Sequence, residues 1–157
     1  MIRPTEESDH DALISLANES GLFELDQTDV LVEMLKSPSE TDVWFTDIDG
    51  SNVKGVEYVA PEKRTSGTWA LYWIAIAPQF QRNGRGSAIV EHVVSWIKTH
   101  GARVLLVETA GTEEFDYVRR SYQSHGSDEE ARIRYFYEEG IDKVVFRRPL
   151  AARGATI

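Results

Sequence analysis

Apolar positions recur along this chain with two different periods, and the places where the period changes mark its predicted elements. Leu13, Leu16 and Ala17 follow Asp9 at helical spacing, and Val30, Leu31, Met34 and Leu35 follow Asp26 likewise, so two amphipathic helices are expected before Pro38. Segments 43–48 and 53–59 are rich in β-formers, and the Asp49-Gly50 pair between them is a strong hairpin signal. A turn at Ser66-Gly67 leads into an apolar strand over 69–77. Beyond a polar loop, Ile89, Val90, Val93, Val94 and Ile97 form a helical stripe ending near Gly101. The run 104–107 is short and continuously apolar, as in a strand covered on both faces, so 71–77 and 104–108 should lie parallel across a right-handed crossover.

Phe115, Val118 and Tyr122 then share a helical face between about 112 and 124, with Gly126 just beyond, and further strands are expected around 131–137 and 143–148. The order of elements is mixed α and β, with hairpins flanking one βαβ unit. The 157 residues suit one domain, read as 1–150, with a frayed tail over 151–157.

Composition narrows the function classes. An apolar share of 41% against 27% charged is ordinary for a soluble protein, and no apolar run approaches the roughly 18 residues of a membrane span. Met1-Ile2-Arg3-Pro4 lacks the apolar core of a signal peptide, which reads as a cytoplasmic protein. Having no cysteine excludes disulfides, thiolate zinc sites and cysteine nucleophiles. His10, His92, His100 and His125 show no ligand spacing, so no metal is expected. A formal charge of -9 repels nucleic acid phosphates and suits cationic small molecules or peptides.

One loop departs from that balance. Gln81-Arg82-Asn83-Gly84-Arg85-Gly86-Ser87 carries two arginines and no acid, and it opens the best-defined helix. Its glycines leave room for the amides at the helix start to converge on an anion such as a pyrophosphate. Asn83-Gly84 alone would also suit a plain hairpin turn, but the residues that follow have helical period. The Gly-x-x-x-x-Gly-Lys-Ser/Thr of a P-loop is not present.

Here the chain resembles the GCN5-related N-acetyltransferase (GNAT) superfamily, whose Gln/Arg-x-x-Gly-x-Gly/Ala loop is met by Gln81, Gly84 and Gly86. The likeness extends through Tyr72-Trp73-Ile74-Ala75-Ile76-Ala77-Pro78 and Arg120-Ser121-Tyr122-Gln123-Ser124-His125-Gly126, and covers about 43–150. It departs at Ser121 and Ser127, where aromatics are usual, and in lacking an Asn over 109–122, for which Thr112 is the substitute. The resemblance implies an α+β, GNAT-like acyl-CoA N-acyltransferase fold: a central, mostly antiparallel twisted sheet with one parallel βαβ unit and helices on both faces. It implies acetyl-CoA as co-substrate, its pantetheine arm lying between splayed strands along the backbone of Ile74, Ala75 and Ile76. The pyrophosphate would be held by the loop amides of Arg82, Asn83, Gly84, Arg85, Gly86 and Ser87. Family members are often homodimers, although no segment here marks an interface.

Acetyl transfer to an amine needs a neutral nucleophile, yet a lysine-like amine has a pKa of about 10.4. Glu108, closing its strand, is the first candidate to take the proton and Glu57 the second. The Ile76 amide is the candidate to stabilise the oxyanion. Tyr122, chosen by its place in the resembling segment, would protonate the departing thiolate. With no cysteine and no Gly-x-Ser-x-Gly elbow, direct transfer in a ternary complex is expected.

Plainer roles stay open: Tyr122 as a core tyrosine, Glu108 solvated or paired with an arginine, and Arg119 and Arg120 as a solvated helix face, with contact of one of them to a CoA phosphate as the alternative. Alternation puts Tyr72 and Trp73 on opposite faces of their strand, and Tyr135-Phe136-Tyr137 before Glu138, Glu139 and Asp142 reads as an acidic wall or an ordinary strand end. The expected function is N-acetylation of a primary amine of a small molecule or peptide. A non-catalytic acyl-CoA-binding or regulatory domain of the same fold is the alternative, and an unrelated nucleotide-binding module a more distant one.

Overall fold

The computed structural model describes residues 1–20 and 28–150. Asp26, the expected lead-in to the second helix, and the expected tail over 151–157 lie outside the described residues. In chain order the elements are β1 (Ile2–Pro4), α1 (His10–Ser20), α2 (Thr28–Lys36), β2 (Val43–Asp49), β3 (Asn52–Pro61), β4 (Thr68–Ile76), α3 (Arg85–Lys98), β5 (Val104–Ala110), α4 (Asp116–Ser124), β6 (Asp128–Glu138) and β7 (Ile141–Pro149). Short 3-10 turns occupy Glu7–Asp9, Pro78–Phe80 and Glu113–Phe115. The strand order is β1-β2-β3-β4-β5-β7-β6, with β4 and β5 parallel and the other described pairings antiparallel. This is the expected mixed α and β class. The chain divides into two compact units, one of Met1–Ala60 with Tyr72–Trp96, the other of Pro61–Leu71 with the chain from Ile97 onward.

In the first unit the hairpin forms where Asp49-Gly50 predicts it, with Gly50 at φ +60° supplying the left-handed turn residue. Leu13, Leu16 and Ala17 of α1 and Leu31 and Leu35 of α2 bury against Trp44, Val56, Trp73, Ala75 and Ala77. Val30, expected in the same stripe, is 55% exposed, so the buried face of α2 is narrower than its apolar pattern. β1 has no counterpart in the sequence reading, because three residues carry no period; it exists by pairing, Ile2 with Asp47 and Pro4 with Phe45. Arg3 then holds Asp9 at 2.7 Å and 3.0 Å, fixing the approach to α1 and keeping that carboxyl below its usual range.

The aromatic residues correct one expectation. Trp44 stacks on Tyr58 at 4.5 Å, Tyr58 on Tyr72 at 5.5 Å, and Trp73 meets Trp44 edge-on at 5.7 Å. Tyr72 and Trp73 are consecutive, yet both reach rings of one cross-strand pair, so they do not lie on opposite faces as strict alternation requires.

In the second unit β5 is paired on both sides: in parallel with β4, from Thr68 with Val104 to Leu71 with Val107, and antiparallel with β7. The parallel pairing is as expected but uses 68–71 rather than 71–77 of the strand. Its start depends on Gly67 at φ +83°, where a Cβ would lie 2.8 Å from the Gly101 carbonyl oxygen. β6 is exposed throughout, and its register with β7 jumps from Ile133 opposite Lys143 to Glu138 opposite Ile141. Residues 134–137 therefore bulge, with Tyr135 at φ +55° and its N–H donated to Asp142 at 3.1 Å.

On the face of β2 and β3 turned towards α3, Phe45 packs against the His92 and Trp96 rings, and directly opposite Phe45 stands Glu57. Glu57 is fully buried, and neither carboxylate oxygen has a hydrogen-bond partner among the described residues. Loss of water alone pushes its pKa up to about 8. Since an unfolded Glu titrates near 4.3, the folded chain keeps a proton that the unfolded chain has released between these values. Stability from this group is therefore greatest below about pH 4.3 and is lost as the pH rises towards 8, by on the order of 5 kcal/mol in total. Denaturant midpoints taken at pH 5 and pH 9 should fall for the wild type and change much less in Glu57→Gln; equal falls would place the linkage on another group.

Candidate functional site

β4 ends in a fixed geometry. The Ala77 N–H is donated to the Lys54 carbonyl at 2.8 Å, the Pro78–Phe80 turn follows, and Gln81 Nε2 is donated back to the Ile76 carbonyl at 3.0 Å. The first residue of the loop motif thus ties the loop to the strand that precedes it. Arg82 and Gly84 take left-handed φ of +63° and +74°, which folds the loop tightly. The first helical hydrogen bond runs from Ala88 N–H to the Gly84 carbonyl at 3.0 Å, so the N–H groups of Arg85, Gly86 and Ser87 open the helix and carry the positive end of its dipole.

Both glycines face open space. A Cβ on Gly84 would meet nothing within 4 Å, although its φ would strain any side chain, and one on Gly86 would meet only Ile76 Cγ1 at an ordinary 3.8 Å. Protein packing does not require a glycine at 86, so the space beside the helix start is room that a ligand can fill. The donor set there, amides at a helix N-terminus, fits a diphosphate.

The two loop arginines differ. Arg82 is exposed, whereas Arg85 is half-buried and donates from Nε to Asp47 Oδ2 at 2.7 Å, with a second, shorter bond from Nη2. Asp47 is fully buried and also faces the Met1 ammonium at 3.4 Å. The Arg85 guanidinium therefore anchors the helix start to β2. Of the strand residues, Ala75 is buried in the core, while Ile74 and Ile76 are half-buried.

The remaining predicted residues lie in the second unit. Glu108 stands opposite Val145 in β7, its side chain 42% exposed, and its Oε1 is 2.9 Å from Lys143 Nζ. That ammonium also lies over the Phe136 ring, 4.2 Å from its centroid. Tyr137 completes the group: burial first, then the charge of Glu108, pushes its hydroxyl pKa up. Lys143, Phe136 and Tyr137 were not assigned to Glu108 by sequence, because the β5–β7 register and the β6 bulge that gather them are long-range. Glu57, the second candidate base, is enclosed on the α3 face instead.

Tyr122 is half-buried in the last turns of α4, its ring 5.7 Å from Phe146. Thr112, expected to replace the family's Asn, has a buried hydroxyl without a hydrogen-bond partner among the described residues, an orphan that a ligand could satisfy. Arg119 corrects the expected solvated face: its side chain is 12% exposed and donates to the Ala110 carbonyl at 2.8 Å, tying α4 to the end of β5. Arg120 is solvated as expected and pairs with Asp116.

Among curated proteins no sequence matches the chain. Among solved structures, a GNAT-family protein from Desulfovibrio desulfuricans is 29% identical, with a TM-score of 0.88 over 96% of this chain and 99% of that one. The ribosomal-protein-S18-alanine N-acetyltransferase from Escherichia coli, 19% identical, has a TM-score of 0.83 over 100% and 97% of the two chains. An aminoglycoside 6'-N-acetyltransferase complexed with coenzyme A is 11% identical, with a TM-score of 0.81 over 98% of each chain. These last two show a shared fold. Residues 11–126 match the acetyltransferase (GNAT) family across most of the chain, and with the glycine loop opening α3 this establishes that the chain belongs to that family.

Proposed function

We propose that the chain transfers an acetyl group from acetyl-CoA to a primary amine of a small molecule or peptide, by direct attack in a ternary complex. The observation that carries this is the open space at the start of α3: the helix-opening amides, a glycine that packing does not demand, and a loop tied down at both ends. In this reading the amides of Arg82, Asn83, Gly84, Arg85, Gly86 and Ser87 hold the pyrophosphate, and the backbone of Ile74, Ala75 and Ile76 aligns the pantetheine arm. Arg85 contributes its amide, because Asp47 already engages its side chain.

Glu108 accepts the proton of the amine, directly or through a water, and is the exposed carboxylate among the two candidates. The Ile76 N–H, fixed by the strand, meets the developing oxyanion. Tyr122 supplies a proton or hydrogen bond to the departing thiolate. Amine acceptors are also what the names of the aminoglycoside and ribosomal-protein-alanine acetyltransferases describe, and the chain's charge of -9 favours a cationic acceptor.

One observation favours a second reading, a non-catalytic acyl-CoA-binding domain: Glu108 is already engaged by Lys143 at 2.9 Å. Release of free thiol from acetyl-CoA across a panel of amines separates the two, since a binding domain releases none. Gly84→Asp should weaken CoA binding by about tenfold or more, as a carboxylate enters the anion cradle; unchanged affinity by calorimetry removes the loop from the site. Tyr122→Phe should lower kcat by roughly 10- to 100-fold while CoA affinity stays within about twofold, and full turnover in that variant makes Tyr122 a packing residue.

A further inference from the structure

Tyr72 keeps 50% of its surface exposed, although Leu71 and Trp73 on either side of it in β4 are buried. Its ring is held against Tyr58, with centroids 5.5 Å apart and planes 28° apart, and Tyr58 stacks in turn on Trp44 at 4.5 Å and 10°. The Tyr58 hydroxyl is donated to Asp42 Oδ1 at 2.7 Å and the Ser39 N–H to Asp42 Oδ2 at 3.0 Å, which fixes a half-buried carboxylate beside the stack. Burial first, then Asp42, pushes the Tyr58 hydroxyl pKa up, so that group remains a donor to Asp42. Ring faces next to a carboxylate attract a cation.

Trp44, Tyr58, Tyr72 and Asp42 belong to the first unit, together with the glycine loop. The loop meets β4 at Ile76, whose carbonyl accepts from Gln81 and whose Cγ1 would lie 3.8 Å from a Cβ on Gly86. From there the same strand leads back through Ile74 to Tyr72, which stands two residues, roughly 7 Å, before Ile74. A pantetheine arm that leaves the loop along Ile76, Ala75 and Ile74 thus points its thioester end towards Tyr72.

We infer that Tyr72, backed by Tyr58 and Asp42, holds a cationic group of the acceptor, and that the acceptor is a diamine: one nitrogen is held as an ammonium while the other attacks. The inference rests on the pantetheine arm lying along Ile74, Ala75 and Ile76 as proposed above. The attacking nitrogen must be neutral, whereas a site of ring faces and a carboxylate favours the charged form, so the nitrogen held there is not the one acetylated. The neutral nitrogen forms the C–N bond as the C–S bond breaks, its proton passes to the departing thiolate, and the held ammonium is unaltered. A separation of roughly 7 Å suits a four-carbon diamine.

Thiol release from acetyl-CoA is followed with 1,4-diaminobutane, with butylamine, which has the same carbon chain and one nitrogen, and with 2-phenylethylamine, which offers a ring in place of the second charge. CoA binding is measured in parallel by calorimetry. The expected result is a KM for the diamine about tenfold below that of either monoamine. Tyr72→Leu should raise the diamine KM about tenfold while kcat and the butylamine KM stay within about twofold, and Tyr72→Phe, which keeps the ring face, should retain the preference. Three results overturn the inference and leave the transfer reading standing: equal KM for the diamine and butylamine, a lower KM for 2-phenylethylamine than for the diamine, or an undiminished diamine preference in Tyr72→Leu. CoA binding without thiol release from any of the amines fails the transfer reading and the inference with it, and no heat with CoA fails the loop reading as well.

Discussion

A fully buried carboxylate that stays charged has to be paired, and the pairing of Asp47 decides where α3 begins. Asp47 sits on β2 opposite Gly55, on the face turned towards α3, and Arg85 is the first residue of that helix. Removing Arg85 would leave the buried Asp47 with only the more distant Met1 ammonium, at a cost of up to about 3–5 kcal/mol. The loop between β4 and α3 is thus held at both ends, by Gln81 on the Ile76 carbonyl and by Arg85 on Asp47. Between those ties the chain turns at Arg82 and Gly84, both in the left-handed region. The start of α3 is thus set by a charge whose side chain is already engaged.

The same face of the sheet shows how differently two carboxylates can be placed. Asp47 has its arginine, whereas one strand over Glu57 has no partner among the described residues and avoids the cost of a buried charge by holding its proton to a higher pH. Glu108, in β5, keeps contact with water and with an ammonium, which is the environment a proton acceptor for a cationic substrate requires. Three acids that read alike as letters are a strut, a neutral core group and a candidate base, and the difference comes from burial and partners alone.

What was legible in the sequence was what is decided locally. The Asp49-Gly50 turn, the glycine loop and the stripe of Ile89, Val93, Val94 and Ile97 each act through neighbours in the chain, and each element formed where its residues place it. Register was not legible. The three-residue β1 exists only through its partner strand, and Lys143 reaches Glu108 only because β7 pairs with β5 in one alignment. Tyr72 and Trp73 break the alternation that a sequence argument must assume, and Arg119 looks like any surface arginine until the end of β5 is in place to accept from it. The loop could therefore be found from its letters, while the surroundings of Glu108 could not.

The kink in β6 bears on how the molecule keeps to itself. β6 closes the strand order, and a long, exposed border strand rich in aromatics is a template onto which other polypeptides can add their own strands. Residues 134–137 face Asp142 alone, and the left-handed turn at Tyr135 interrupts the row of outward donors and acceptors before an incoming strand could zip along it. The irregularity that gathers aromatic rings around Glu108 thus also guards against cross-chain aggregation.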